Sequence, residues 1–286
     1  MTTRQAVVTA VIPCFNQGQF LAECVGSLRA QTDPNWRAIV VNDCSTDGVT
    51  AALCDAQADD RVTVVHLPHN HGRSLARNVG IGMAQTEAIL SLDADDALDP
   101  RHFAATVPEL LRDPAVGVVY TDYALFGTKS GRWKGRPFDA ARLYTDQYIR
   151  AGSLFRKSAW AQTGGYKEAF SIGNEDWDLW LTLVEAGWRG QWVAQPLYRY
   201  RLHAQSWTNS GDMHGADRGY RSLLLLLDHH KDGFARNGAT GTFLAWATRR
   251  EAERLTQCGQ HAQAKALWRR VRAARPWDFV AWWRGR

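Results

Sequence analysis

A mostly parallel α/β sheet with helices on both faces, followed by a helical C-terminal region, is the fold class this 286-residue sequence predicts. Three observations carry that prediction. Over the first 120 residues, short apolar runs rich in Val and Ile alternate with helical patterns, as strands buried on both faces do. Several of those runs end in polar residues, and in open α/β sheets ligands bind at the carboxyl ends of strands. Beyond His214 the strand signals stop and helical patterns take over, in a stretch (197–275) without proline.

The strand candidates are Ala6–Pro13, Trp36–Asn42, Val62–Leu67, Ala88–Leu92 and Val116–Tyr120. Between them Phe20–Ala30, Gly48–Ala58, Leu75–Ala84 and Arg101–Arg112 have helical spacing. Gly127–Pro137 is glycine-rich, basic and aperiodic, and reads as an exposed loop that either closes over a site or simply connects two elements. Trp177–Ala186 is helical, and Trp192–Val193 and Leu197–Leu202 read as strands. His214–Lys231, Thr240–Thr256 and His261–Ala274 are helical patterns punctuated by Gly233, Gly238 and Gly259, the last two patterns forming a hairpin. The expected division is a domain over 1–209 and a helical region over 210–286.

Composition removes several function classes. Apolar residues make up 45% and charged residues 22%, which argues against disorder, collagen and coiled coil. The longest aliphatic run, Leu223–Leu227, is far too short to cross a membrane. The N-terminal segment reads as a first strand and not a signal peptide, so the cytoplasm is the expected compartment. Five cysteines without CxxC spacing read as buried small hydrophobes. The net charge of +5 is uneven: Ser210–Arg286 holds 14 Lys/Arg against 7 Asp/Glu, so the rest is slightly acidic. No basic and aromatic pattern of a nucleic-acid-binding module accompanies that charge, so no nucleic-acid partner is expected.

Five clusters could carry chemistry. Asp93-Ala94-Asp95-Asp96 follows a strand, and three carboxylates in four residues suit Mg²⁺ or Mn²⁺ bound together with substrate phosphates, although acidic turns are common. In Asn42-Asp43-Cys44-Ser45-Thr46-Asp47-Gly48, Asp43 is placed to accept from a base or a ribose, whereas Ser45–Asp47 suit a helix cap. Arg73 and Arg77 lie one turn apart at a helix start, a geometry for phosphate or for surface ion pairs. Glu175 and Asp176 open a helix beside Trp177 and Trp180, which suits a sugar site, although the helix dipole favours acids there in any case. His203, in YRYRLHAQS, is a metal or phosphate ligand or a structural histidine.

The order VIPCFNQGQFLAECVGSLRAQT, IVVNDCSTDG, NHGRSLARNVGI, LSLDADD, GGYKEAF, NEDWDLWLTLVEAG, YRYRLHAQS closely resembles glycosyltransferase family 2, over about Val7–Trp207. The resemblance implies a GT-A fold and an inverting transfer from a nucleotide-diphosphate sugar to a hydroxyl of a glycan, lipid-linked or lipopolysaccharide acceptor. It implies that Pro13, Phe15 and Asn16 hold the base, Asp43 reads it, and Arg73 and Arg77 lie near the nucleotide phosphates. Asp93 falls by the ribose or donor sugar, and Asp95 also faces the donor. Asp95, Asp96 and His203 match the metal end of the site. Glu175 and Asp176 match the acidic pair whose aspartate is the general base, and Trp177 and Trp180 would flank the acceptor. Implied cofactors are Mn²⁺ or Mg²⁺, with a UDP-sugar as donor and GDP- or dTDP-sugars as alternatives. Asn42 departs from the family, which often has an acid there. A sugar nucleotidyltransferase of the same fold would need Arg and Lys in PCFNQGQF, which has neither, and a non-catalytic carbohydrate-binding scaffold would not need an intact acidic set.

In Ala262–Ala274 an apolar face of Ala264, Leu267, Trp268, Val271 and Ala274 opposes Lys265, Arg269, Arg270 and Arg272. With Trp277, Phe279, Trp282 and Trp283 beyond it, 262–286 is expected to make a peripheral membrane contact at the cytoplasmic face or, in the alternative, to pack on the catalytic domain or in a homodimer.

Overall fold

The computed structural model describes residues 6–203 and 218–274. Ordered contacts divide these residues into two compact units. The first holds everything up to His203 except Ala140–Gln147 and Ile172–Asn174; those two short segments belong with the helices after residue 217 in the second.

The first unit is built on one mixed sheet. Its strands are β1 (Val8–Cys14), β2 (Trp36–Asn42), β3 (Val62–His66), β4 (Ala88–Ser91), β5 (Ala97–Leu98), β6 (Val116–Gly127), β7 (Gly131–Trp133), β8 (Leu154–Arg156) and β9 (Arg189–Leu202). The spatial order is β3-β2-β1-β4-β8-β6-β9-β5, with β7 on β6. β3, β2, β1 and β4 run parallel. Beyond β4 the sheet becomes mixed, because β8 enters antiparallel between β4 and β6. The strand order reverses beside β1, which opens a crevice at the carboxyl ends of β1, β2 and β4.

The pattern of β1, apolar but for Thr9, has a direct cause: every residue of that strand is buried. Val8, Ala10, Ile12 and Cys14 share one face with Leu21, Cys24, Val25 and Leu28 of α1 (Gly18–Arg29). On the other face Val11 meets α3 (Arg73–Met83) at Gly80, where an added Cβ would lie 2.4 Å from Val11 Cγ1. α2 (Thr50–Asp55), α4 (His102–Arg112), α5 (Lys157–Thr163) and α6 (Glu175–Glu185) complete the helices of this unit.

Two expectations change. Gly127–Pro137 is not a free lid: Gly131–Trp133 pairs with β6 as a ribbon. Trp133 stacks near Tyr123 and Tyr200, while buried Asp122 receives Arg132 and, at 2.6 Å, the Gly135 N–H. Trp192–Val193 and Leu197–Leu202 belong to one strand, β9, in which Pro196 sits at a register irregularity, where a residue without an N–H is tolerated. β8 and α5 had no sequence signal of their own.

The second unit contains α7 (Arg218–His229), α8 (Lys231–Arg236), α9 (Thr240–Gln257) and α10 (His261–Ala274). The described part of the expected helix His214–Lys231 is α7, which ends at His229, its first four residues lying outside the described ones; α8, from Lys231, was not expected, and Gly233 is inside it, not at a break. Gly238 and Gly259 have φ of 62° and 73°, the left-handed conformation that closes a helix. Phe234 packs on Tyr144 and Phe243. α10 lays Ala264, Trp268 and Val271 on Ala252 and Leu255 of α9. That packing takes up the stripe expected to lie on a bilayer; Trp277, Phe279, Trp282 and Trp283 lie outside the described residues.

Candidate active site

The loops after β1, β2 and β4 meet through side chains named in the sequence. Asn16 has a φ of 53°, a left-handed conformation that asparagine tolerates. Its Oδ1 accepts the Thr46 N–H at 2.8 Å, and its own N–H donates to Ser45 Oγ at 3.0 Å, tying the β1 loop to the β2 loop. Pro13 is a register partner of Val41 inside the sheet. Phe15 is 41% exposed at the end of β1, leaving a ring face open to solvent.

Asn42 replaces the acid common in the family, and the structure shows what the amide does. Its Oδ1 accepts from Ser45 N and Oγ, and its Nδ2 lies 2.8 Å from His66 Nδ1. Asp43 is buried and does something the sequence did not suggest: its two carboxylate oxygens accept the His71 and Gly72 N–H groups at 2.9 and 2.8 Å. It thereby positions the loop that leads into α3.

The two arginines of α3 differ. Arg73 is partly exposed, 3.5 Å from Glu175. Arg77 is enclosed at 1% exposure, and its NH1 and NH2 donate to Glu175 Oε1 and Asp93 Oδ1, both at 2.7 Å. This geometry contradicts the expectation that Arg77 touches nucleotide phosphates: the guanidinium is spent on two carboxylates under the site. Asn78 is structural, bonding Tyr166 and Trp160.

The acidic cluster after β4 also divides. The Asp93 side chain is 30% exposed. Asp95 Oδ2 lies 3.0 Å from His203 Nε2, with both side chains partly open. Burial, then the charge of Asp93, pushes the Asp95 carboxyl up, against the pull of His203. Asp96 is 1% exposed and turned inward, accepting from Tyr198 OH at 2.7 Å and from the Arg201 N–H at 2.8 Å. Burial and the neighbouring Asp95 and Asp93 charges push its carboxyl well up. Asp96 therefore anchors β9, and the expectation that it ligates a metal gives way to Asp95 with His203.

At the start of α6, Glu175 and Asp176 are both buried. Burial raises the Glu175 carboxyl, but Arg73 and Arg77 outweigh it and hold the group below its ordinary value. Asp176 is pushed up to about 7 by burial and by the Glu175 charge. An adjacent pair with one fixed carboxylate and one group poised near neutrality is equipped to accept a proton. Trp177 and Trp180 are 2% and 1% exposed, Trp180 edge-on to Phe155 at 5.8 Å. They are core residues, which corrects their expected place at an acceptor.

Sequence reasoning missed Tyr198, Arg201 and Phe20. Arg201 Nε donates to the Asp95 carbonyl at 2.6 Å, and the His203 ring packs 4.8 Å from Phe20. Period-two alternation along YRYRLH was the available signal: β5 pairs Ala97 with Arg199 and Leu98 with Tyr198, setting the acidic turn beside β9.

A parallel α/β core with an acidic turn at the end of β4 and an acidic pair at the start of α6 defines a GT-A transferase. Solved structures share the fold: the mannosyltransferase PcManGT from Pyrobaculum calidifontis, in complex with GDP-Man and Mn²⁺, aligns with a TM-score of 0.66 at 18% identity over 99% of this chain and 84% of that one. S. aureus TarS 1-349 in complex with UDP-GlcNAc aligns at 0.66 and 17% over 85% and 72%. The chain belongs to glycosyl transferase family 2, whose pattern matches residues 9–172, more than half of it. Among curated relatives, the putative teichuronic acid biosynthesis glycosyltransferase TuaG of Bacillus subtilis (strain 168) is 28% identical over 208 residues, 71% of this chain and 81% of TuaG. The succinoglycan biosynthesis protein ExoO of Rhizobium meliloti (strain 1021) is 39% identical over 242 residues, 78% of this chain and 64% of ExoO. The protein is therefore a glycosyltransferase.

Proposed function

We propose that this glycosyltransferase inverts the anomeric carbon of a nucleotide-diphosphate sugar in a single displacement, with Asp176 as general base. The observation that carries the reading is the split pair: Glu175 is fixed as a carboxylate by Arg73 and Arg77, while Asp176 beside it is poised near pH 7. Asp176 takes the proton of the acceptor hydroxyl as that oxygen attacks the anomeric carbon and the nucleoside diphosphate leaves. Phe15 offers an exposed ring for the base, Asp43 shapes the adjoining wall through residues 71–72, and Arg73 is the arginine left to face the diphosphate.

Asp95 Oδ2 and His203 Nε2 converge within 3.0 Å. One carboxylate oxygen and one imidazole nitrogen form a mixed donor set that suits Mn²⁺ or Mg²⁺ completed by diphosphate and water. A cation bound there supplies positive charge to the diphosphate as it departs. UDP-sugars are the first donors to test, as TarS is described with UDP-GlcNAc, followed by GDP-sugars, as PcManGT is with GDP-Man, and dTDP-sugars. The acceptor we assign is a hydroxyl of a surface glycan or its lipid-linked precursor, in line with the polymers named for TuaG and ExoO.

The test is a transfer assay with product stereochemistry read by proton NMR. The expected product has the opposite anomeric configuration to the donor, and chelator abolishes turnover until Mn²⁺ or Mg²⁺ is restored. Retained configuration, or full turnover in chelator, overturns the corresponding part of the reading.

A further inference from the structure

Arg77 is a guanidinium with 1% exposure at the floor of the site, and burying such a charge is costly unless it is paired. Its two terminal nitrogens reach acids from different elements, Asp93 after β4 and Glu175 of α6, each at 2.7 Å. The Tyr166 ring lies 5.3 Å from its Cζ. Arg73, one turn earlier, touches Glu175 from a more open position at 3.5 Å. Both terminal nitrogens of Arg77 thus bond carboxylates, and its buried Nε has no hydrogen-bond partner.

We propose that Arg77 is a positioning residue that holds Glu175 as a permanent carboxylate and so leaves Asp176 as the member of the pair that gains and loses a proton. The inference rests on the reading of Asp176 as base, and it assigns the division of labour within the pair to a side chain that never touches the substrate. Among the groups that act on Asp176 are Glu175 on its own helix, Arg77 of α3, Tyr166, and Tyr123 of β6. Of these, Glu175 opposes ionisation of Asp176 and Arg77 favours it, so the two substitutions act in opposite directions. Removing the Arg77 charge takes away a cation that favours ionisation of both buried carboxylates, with Arg73 still against Glu175. Removing the Glu175 charge frees Asp176 from its repelling neighbour.

The test follows Asp176 directly, by carboxyl ¹³C NMR of the full chain with labelled aspartate, its resonance assigned by loss in Asp176→Asn. In Arg77→Gln the titration midpoint of Asp176 is expected to rise by about one pH unit or more, the scale of a nearby opposite charge removed. In Glu175→Gln it is expected to fall by a similar amount, and the double variant to return towards the unmodified protein. Arg77→Lys keeps the charge and is expected to stay closer to the unmodified protein than Arg77→Gln. The acid limb of kcat/KM is expected to follow the same order. An unmoved Asp176 midpoint in Glu175→Gln overturns the proposal, as does a Glu175 carboxyl that, followed with labelled glutamate in Arg77→Gln, titrates no higher than in the unmodified protein. Should Arg77→Gln not fold, Glu175→Gln and Arg77→Lys decide alone. If the midpoints move as stated while Asp176→Asn still transfers sugar at a normal rate, the charge-setting role of Arg77 stands and the base assignment fails.

Discussion

Glu175 and Asp176 share one turn of α6, yet their environments pull them apart, and this has a pH signature. The Asp176 carboxyl sits at about 7 against an ordinary 3.8. Transfer should therefore rise with pH and level off above an apparent midpoint near 7, measured as kcat/KM. The stability effect has the opposite sense to a salt-bridged aspartate. Between about pH 4 and 7 the unfolded chain releases this proton and the folded chain keeps it, so the unfolded state binds fewer protons and stability falls as pH rises. Asp176→Asn removes that penalty: its Tm should exceed that of the unmodified protein by roughly 2–6 °C at pH 8, with the gap closing towards pH 4. Equal gaps at both pH values would refute the burial argument. Trp180→Phe should lower Tm while leaving the acceptor KM unchanged, because the indole is core; a raised KM with unchanged Tm would return it to the site. The acids stood out in the sequence because several carboxylates follow a strand or open a helix within a few residues. The roles of Arg77, Asp96, Trp177 and Trp180 were not, since burial decides them and a motif does not encode which way a side chain turns.

At the scale of elements, α3 is held on the sheet by the missing side chain of Gly80. A Cβ there would meet Val11 Cγ1 at 2.4 Å and Val41 Cγ2 at 3.2 Å. Gly80→Ala should cost about 1–3 kcal/mol, read as a drop in denaturation midpoint, and should push the arginines of α3 away from Glu175. An unchanged midpoint would mean that α3 shifts freely. The β1 to β4 region was readable because each strand is buried on both faces and announces itself as an apolar run. β8 is three residues long, and its place is set by β4 and β6 on either side, which no local pattern reveals. The ribbon at Gly131–Trp133 was masked by glycine and charge; Asp122 and Tyr123, which anchor it, sit on β6 just before it, and only Tyr200 of the aromatic group comes from far along the chain.

For the whole molecule, the sheet supplies the chemistry and the second unit supplies basic helices. α10 carries Lys265, Arg269, Arg270 and Arg272 and no acid. With its apolar stripe packed on α9, any attraction of this helix to anionic lipid is electrostatic. Binding to anionic vesicles should then vanish between low and high salt; salt-resistant binding would mean that apolar insertion occurs elsewhere. The change to a helical region after His214 was legible in the sequence, but the partner of the α10 stripe was not, since amphipathic spacing fits a bilayer and a neighbouring helix equally. The central claim is that Asp176 accepts the proton at the reacting hydroxyl. Its most direct test compares Asp176→Asn with the unmodified protein in donor binding and in single-turnover transfer at pH 8. Donor affinity should be kept while transfer falls by roughly 10²–10⁴-fold, the contribution of a positioned base; near-normal transfer, or transfer lost only together with donor binding, would contradict it.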